Sequence, residues 1–105
     1  MSTAFKALAD PTRRRVLELL RKRPMSAGEL SSHFDVAQST MSAHFAVLRE
    51  ADLVTSEKQG KSVVYQLKLS VLEEALLGFA RAFGWELQNA GPAENTPPET
   101  KGADQ

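Results

Sequence analysis

The sequence predicts a small, mainly α-helical domain with one β-hairpin, in the order α-α-α-α-β-β-α. Apolar residues recur at spacings of three and four residues in several segments, and three of these segments begin with helix-capping sequences. Two short stretches rich in Val, Thr and Tyr then follow, separated by a glycine-containing turn that is typical of a tight hairpin. Residues 1–88 carry this whole pattern.

The first two helices are marked by their boundaries. Phe5 and Leu8 place apolar side chains on one side of a short first helix. Asp10 and Pro11 begin the second helix, because aspartate caps helix N-termini and proline fits the first helical position. This helix is expected to end before Pro24.

A helix-turn-helix is predicted from the next two helices. Ser26 and Glu29 form a capping box, which predicts a third helix of about nine residues. After a short break, a fourth helix is predicted from about Gln38 to Ala51. Its apolar positions, expected to face the core, are Met41, Phe45 and Leu48. In a helix-turn-helix the second of the two helices enters the major groove of DNA.

The polar face of the fourth helix carries the candidate DNA-reading side chains. They are short and uncharged, whereas a solvated helix face usually carries more Lys and Glu. Amides, hydroxyls and imidazoles can bond to base edges or phosphates. The candidate readers are Gln38, Ser39, Thr40, Ser42 and His44, and Ser26 and Arg49 are candidate contacts to the DNA backbone.

The hairpin predicts a wing beside this helix. Residues 53–58 and 62–68 are the expected strands, and Gly60 lies between them, where a tight turn needs a positive φ. A hairpin that follows a helix-turn-helix makes a winged helix, whose tip can touch the phosphate backbone. The candidate wing contacts are Lys58, Gln59 and Lys61.

The last helix predicts a homodimer. Ser70 and Glu73 form a second capping box, and the helix is expected to run to about Leu87. Its apolar arc covers about half of the circumference, more than the roughly 100° that an amphipathic surface helix needs. We therefore expect a two-fold dimer through the terminal helices. The candidate interface residues are Phe5, Leu8, Leu72, Leu76, Phe79 and Phe83.

Composition excludes several classes of protein. The absence of cysteine excludes disulfides and thiolate metal sites. No apolar run approaches the roughly 20 residues of a membrane span, and no signal peptide is recognisable, so a soluble cytoplasmic protein is expected. Residues 89–105 contain no large apolar side chain, which predicts a disordered tail after a single domain at 1–88.

Charge is distributed unevenly along the chain although the net charge is zero. Residues 1–68 contain 11 Lys and Arg against 7 Asp and Glu, and residues 69–105 contain 2 against 6. A basic front half is a weak indication of a polyanionic partner. Of Arg13, Arg14 and Arg15, at most two can face DNA, because successive helical positions point in different directions.

Three blocks of the sequence carry a family resemblance. They are residues 5–15 (FKALADPTRRR), 36–51 (VAQSTMSAHFAVLREA) and 53–67 (LVTSEKQGKSVVYQL). In this order they resemble the ArsR/SmtB-type winged-helix repressors of bacteria, and the opening block is most similar to the SdpR-type autorepressor branch. The resemblance implies a homodimer, not an enzyme, that binds an inverted-repeat operator in double-stranded DNA near its own promoter.

The usual metal sites of that family lack their ligands in this chain. Metal-sensing members carry cysteines at the start of the third helix, where residues 25–28 here are MSAG. Other members bind zinc on the last helix, and the matching positions here are Leu69, Val71, Ala82 and Trp85. We therefore expect neither a metal nor another cofactor. Many members also have a capping serine at the position of Ala37.

Two alternatives remain open at this point. The polar face of the fourth helix could bind a protein instead of DNA, and strong salt-dependent binding to duplex DNA would distinguish the two. A repressor could also respond to an organic small-molecule inducer or to a partner protein at the last helix.

Metal insensitivity is the first testable expectation, and it follows from the missing ligands. Zinc, cadmium or arsenite at micromolar concentration should leave the affinity for DNA unchanged in a fluorescence titration of labelled duplex. A reproducible tenfold shift, about 1.4 kcal/mol of coupling between metal and DNA, would contradict it.

Overall fold

The computed structural model describes residues 3–84, and within them five helices and three strands are formed. In chain order they are α1 (Thr3–Leu8), α2 (Pro11–Lys22), β1 (Met25–Ser26), α3 (Ala27–Ser31), α4 (Gln38–Glu50), β2 (Val54–Gln59), β3 (Ser62–Leu67) and α5 (Leu69–Ala82). Two compact units are present, one ending at Ala75 and the other beginning at Leu76. Within the described part of the chain, no helix is long and apolar enough to cross a membrane.

Strand β1 is an addition to the predicted order. Met25 pairs with Tyr65 and Ser26 pairs with Val64, so the antiparallel sheet has the order β1-β3-β2. Two residues are too few for a periodic pattern, and therefore the sequence does not reveal this strand. The pairing attaches the start of the helix-turn-helix to the central strand of the wing.

Helix α2 begins as predicted. The Asp10 carboxylate accepts hydrogen bonds from the backbone N–H groups of Thr12, at 2.7 Å, and Arg13, at 3.2 Å, and Pro11 occupies the first turn. Burial raises the pKa of Asp10, but the two backbone hydrogen bonds and the nearby positive charges of His44, when its ring is protonated, and of Arg13 lower it more. The net pKa is therefore below its usual value.

Helix α3 is shorter than predicted, five residues instead of about nine. The hydroxyl of Ser26 accepts the N–H of Glu29 at 3.0 Å, which confirms the N-cap. The Glu29 carboxylate pairs with Arg23, and that hydrogen bond holds the pKa of Glu29 below its usual value. Beyond Ser31 the chain forms a tighter turn of the 3₁₀ type, in which the N–H of Phe34 donates to the Ser31 carbonyl at 3.1 Å.

Helix α4 ends in a Schellman motif. The N–H of Asp52 donates to the Arg49 carbonyl at 2.9 Å, and the N–H of Leu53 donates to the Leu48 carbonyl at 3.1 Å. Asp52 has a φ of +62°, the left-handed conformation that glycine usually supplies in this motif. Lys68 pairs with the Asp52 carboxylate at 2.7 Å and donates its own N–H to Leu53 at 2.9 Å. The end of α4 is thus tied to the end of β3.

The hairpin boundaries lie within one residue of the prediction. Strands β2 and β3 pair from Val54 and Leu67 to a two-residue turn at Gly60 and Lys61. Gly60 has a φ of +62°, as its place in the turn requires.

The hydrophobic core is formed by the helices and the sheet together. Helix α1 packs against α2 and α4, and α4 packs against α2 and β2. The aromatic rings of Phe45 and Tyr65 lie 4.7 Å apart within it. Val71 and Leu72, at the start of α5, pack against this core. Its fully buried large side chains are Val16, Leu30, Met41, Leu48 and Leu53.

Helix α5 begins at Leu69, two residues earlier than its capping box predicts. The carbonyl of Lys68 accepts the N–H groups of Val71 and Leu72, both at 3.1 Å. Ser70 therefore lies inside the first turn, and the prediction that it caps the helix is wrong. The N–H of Lys68, immediately before the helix, donates to the carbonyl of Leu53, which lies before β2 in the chain.

The end of α5 also differs from the prediction. The helix ends at Ala82, and Gly84 follows with a φ of +76°, which is typical of a helix C-terminus. It therefore stops short of the predicted end at Leu87. Residues 85–88 and the predicted disordered tail at 89–105 lie outside the described residues.

Asp10 provides a test of the α2 cap. Asp10→Ala is expected to lower the free energy of unfolding by about 1 kcal/mol, since two backbone N–H groups lose their acceptor. Asp10→Asn is the matched control, because asparagine caps helices about as well as aspartate but carries no charge. Urea unfolding of the three proteins at neutral pH measures both differences.

The same series has a defined pH dependence. Folding lowers the pKa of Asp10, so its charge stabilises the fold fully above the unfolded pKa of about 4. This stabilisation is lost as pH falls through the lower, folded pKa. The advantage of the wild type over Asp10→Asn should therefore shrink on acidification. An Asp10→Ala protein as stable as the wild type would contradict the assignment of the cap.

Candidate nucleic-acid interface

The exposed face of α4 presents most of the predicted readers. Its opposite face is fixed in the core, where Met41, Phe45 and Leu48 are at most 4% exposed. Because these three side chains anchor the helix, the orientation of its polar face is fixed as well. The exposed predicted readers are Gln38, Ser39, Thr40 and Ser42.

The N-terminus of α4 has no capping side chain. Ala37 is the N-cap residue and makes no side-chain hydrogen bond, although its carbonyl accepts the N–H of Met41 at 3.1 Å. The first N–H groups of the helix therefore have no side-chain cap, and the residues there, Gln38 and Ser39, are exposed. Together with the positive end of the helix dipole, they favour an anion there.

His44 is half-buried, unlike the other predicted readers. Its ring atom Nδ1 accepts a hydrogen bond from Nη1 of Arg13 at 3.1 Å. The same guanidinium donates from Nε to the Ala7 carbonyl at 3.0 Å and from Nη2 to the Lys6 carbonyl at 2.8 Å. Arg13 thus connects the end of α1 to α4.

The two neighbouring arginines also bond within the chain. Nη1 of Arg14 donates to the Leu8 carbonyl at 2.8 Å, and Arg15 pairs with Glu18 at 2.9 Å. Both bonds are exposed, and the second is an i,i+3 pair on the outside of α2. Exposed pairs of this kind contribute little to stability.

The two candidate contacts to the DNA backbone, Ser26 and Arg49, also have roles within the fold. The Ser26 hydroxyl caps α3, and Ser26 is half-buried. Nη1 of Arg49 donates to the hydroxyl of Tyr65 at 2.9 Å, which connects the outer side of α4 to β3. A guanidinium has five N–H donors, so Arg49 retains others for a phosphate.

The wing tip carries exposed side chains. Lys58, Gln59 and Lys61 are all exposed, and none of their side chains makes a hydrogen bond or ion pair within residues 3–84. Because α4 packs directly against β2, the wing and the face of α4 belong to one scaffold. Both surfaces are therefore available to one extended ligand.

The candidate dimer residues differ in exposure. Phe5, Leu8, Leu72 and Phe79 are half-buried. In the unit that begins at Leu76, Leu76 itself is 49% exposed and Phe83 is 78% exposed. The rings of Phe79 and Phe83 meet edge to face at 5.6 Å. Large exposed apolar side chains that cluster on one side of a helix are typical of an interface.

Metal ligands do not cluster in the described part of the chain. Across residues 3–84, no three His, Cys, Asp or Glu side chains lie close enough together to hold a metal ion.

The role of Arg13 could not be predicted from the sequence. Its imidazole partner lies 31 positions further along the chain, on another helix. A run of three arginines gives no signal that one of them contacts a histidine, since local patterns report only local neighbours.

Comparison with known proteins identifies a common architecture. A family model described as a helix-turn-helix domain matches residues 8–57. The transcriptional repressor SdpR of Bacillus subtilis is 34% identical over 76 residues, which are 72% of this chain and 84% of SdpR. The arsenical resistance operon repressor of Staphylococcus xylosus is 38% identical over 73 residues, 70% of each protein.

Solved structures agree with these matches. A crystal structure of a possible transcriptional regulator for arsenical resistance superposes with a TM-score of 0.67 at 34% identity, covering 76% of this chain and 86% of that one. HlyU from Vibrio cholerae superposes with a TM-score of 0.64 at 32% identity, covering 77% and 88%. The winged helix-turn-helix predicted from the sequence is thereby confirmed.

Proposed function

We propose, from the premise that this chain belongs to the ArsR/SmtB-type family of helix-turn-helix repressors, that two copies bind an inverted-repeat operator as a homodimer. As a member of that family the chain is a DNA-binding transcriptional repressor. Its operator lies near its own promoter, by similarity to the SdpR-type branch. In this role it acts in the cytoplasm and performs no catalysis.

The uncharged polar face of α4 is the observation that supports this function most strongly. Four exposed, hydrogen-bonding side chains occupy the N-terminal half of the helix, and a buried apolar face holds them in position. Gln38 has the amide that pairs with N6 and N7 of adenine. Ser39, Thr40 and Ser42 have shorter side chains, whose hydroxyls bond to base edges or to phosphates.

Contacts to the DNA backbone complete the proposed interface. Lys58, Gln59 and Lys61 at the wing tip are exposed, and in the proposed complex they contact phosphates beside the recognition helix. Ser26 and Arg49 add contacts at the edges of the helix-turn-helix. Such contacts hold the protein in register on the duplex but carry no sequence information.

Dimerisation supplies the second half of the operator contact. Leu76 and Phe83 are seven residues apart, which returns to nearly the same side of an α-helix. Their exposure supports a two-fold interface that also includes Phe5, Leu8, Leu72 and Phe79. A dimer presents two recognition helices about 34 Å apart, one helical turn of DNA, so the operator is an inverted repeat.

Substitutions of Gln38 and Lys61 distinguish a contact to a base from a contact to a phosphate. Gln38→Ala should cost on the order of 1–3 kcal/mol of discrimination at one base position in each half-site. Lys61→Ala should weaken specific and random DNA alike and reduce the salt slope by about one. Titration of both variants against the operator, its single-base changes and random duplex makes each the control for the other. Equal weakening of all sequences by Gln38→Ala would disprove the assignment of Gln38.

Leu76 tests the proposed dimer. Leu76→Glu should give a folded monomer with operator affinity near its non-specific level, because a carboxylate cannot be desolvated in an apolar interface. The fold should persist, since Leu76 is already 49% exposed in the single chain. Sedimentation equilibrium, circular dichroism and a binding titration measure the three quantities.

Gly78→Glu is the matched control. It adds the same charge on the opposite side of α5, where a Cβ atom meets nothing within 4 Å. This variant should remain dimeric and bind the operator as the wild type does. A Leu76→Glu protein that stays dimeric, or a monomer that still binds the operator tightly, would show that the interface lies elsewhere.

A further inference from the structure

We propose that Arg13 is a positioning residue for DNA recognition, because it holds His44 in the tautomer that carries its proton on Nε2. His44 then offers a single hydrogen-bond donor at the edge of the polar face of α4. The inference rests on the proposed function and deepens it, since it adds a residue outside the DNA contact surface to the recognition of DNA.

The guanidinium of Arg13 is held by two backbone carbonyls. Its Nε and Nη2 atoms donate to the carbonyls of Ala7 and Lys6 at the end of α1, at 3.0 and 2.8 Å. Because the guanidinium is planar and rigid, these bonds set the direction of the remaining nitrogen, Nη1, which points at His44.

The chemistry of this contact decides where the proton of His44 lies. An arginine side chain has only donors, and it stays protonated at any pH that a protein meets. Nδ1 of His44, 3.1 Å away, must therefore accept, and the neutral ring carries its proton on Nε2. The contact excludes the other neutral tautomer.

The Nε2 donor is free to meet a ligand. Within residues 3–84, Nε2 of His44 makes no hydrogen bond. The only buried side-chain polar atom of this region without a partner is Ser31 Oγ, so Nε2 is not buried and reaches solvent. His44 follows the exposed Thr40 by four positions, which places the two as neighbours along α4.

A lone N–H donor in this place fits an acceptor on DNA. The acceptors within reach of a recognition helix are phosphate oxygens and, in the major groove, N7 and O6 of guanine, N7 of adenine and O4 of thymine. Without Arg13 the ring could turn or carry its proton on Nδ1. The donor would then lose its fixed position.

Nuclear magnetic resonance of the full-length protein tests the tautomer without DNA. With 15N-labelled histidine, long-range correlations should show His44 with its proton on Nε2. Arg13→Met should turn it into a mixture of tautomers, while the matched variant Arg15→Met, whose partner is Glu18, should leave the spectrum unchanged. A wild-type His44 protonated on Nδ1 would overturn the proposal.

Substitutions of His44 separate its two nitrogens. His44→Asn keeps an acceptor near the place of Nδ1 and removes the outer donor, so operator affinity should fall up to about tenfold. His44→Gln supplies an outer amide N–H and should bind more tightly than His44→Asn. Equal binding by His44→Asn and the wild type would show that His44 only joins α4 to α1, and would overturn the proposal. Single-base changes in the operator distinguish a base acceptor from a phosphate.

A double mutant shows whether Arg13 acts through His44. Arg13→Met should weaken operator binding in the wild-type background but should add nothing to His44→Asn. Additive losses would mean that Arg13 acts independently, contrary to the proposal. Because the His44 variants leave Arg13 intact, the test stands even if Arg13→Met fails to fold. Absence of duplex binding by the wild type would instead contradict the proposed function.

Discussion

The orientation of one helix is the constraint on which the rest of this structure depends. Helix α4 is anchored through Met41, Phe45 and Leu48, and the loss of any of them would open a cavity in a small core. Because that face is fixed, the opposite face is held out to solvent as a rigid polar surface. The function proposed for the chain is a consequence of this burial.

Polar side chains also connect helix α4 to neighbouring elements at its edges. Arg13 joins it to α1, Arg49 joins it to β3 through Tyr65, and Lys68 ties its C-terminus to the end of the sheet. Each is a long cationic side chain that bonds within the protein, and Arg49 keeps further N–H donors for a phosphate. Basic residues in a DNA-binding domain thus support the contact surface as well as contact the duplex.

Local signals in the sequence were sufficient for much of this fold. The Asp10 cap, the limits of α4 and the glycine turn of the wing depend on neighbours within five residues, and all three are present as predicted to within one residue. The non-local features could not be predicted. Strand β1 exists only because Tyr65 and its neighbour pair with it, and the partner of Arg13 lies on a distant helix. The DNA-contact assignments rest on residue chemistry, and the exposure of Gln38, Ser39, Thr40 and Ser42 supports them.

Hydroxyl-radical footprinting of the purified protein on the DNA upstream of its own gene tests the central claim most directly. If the polar face of α4 reads an operator as part of a dimer, two protected patches should appear about one helical turn apart, over an imperfect inverted repeat. Uniform protection that follows no sequence, a single protected half-site, or no protection of duplex DNA would contradict this account.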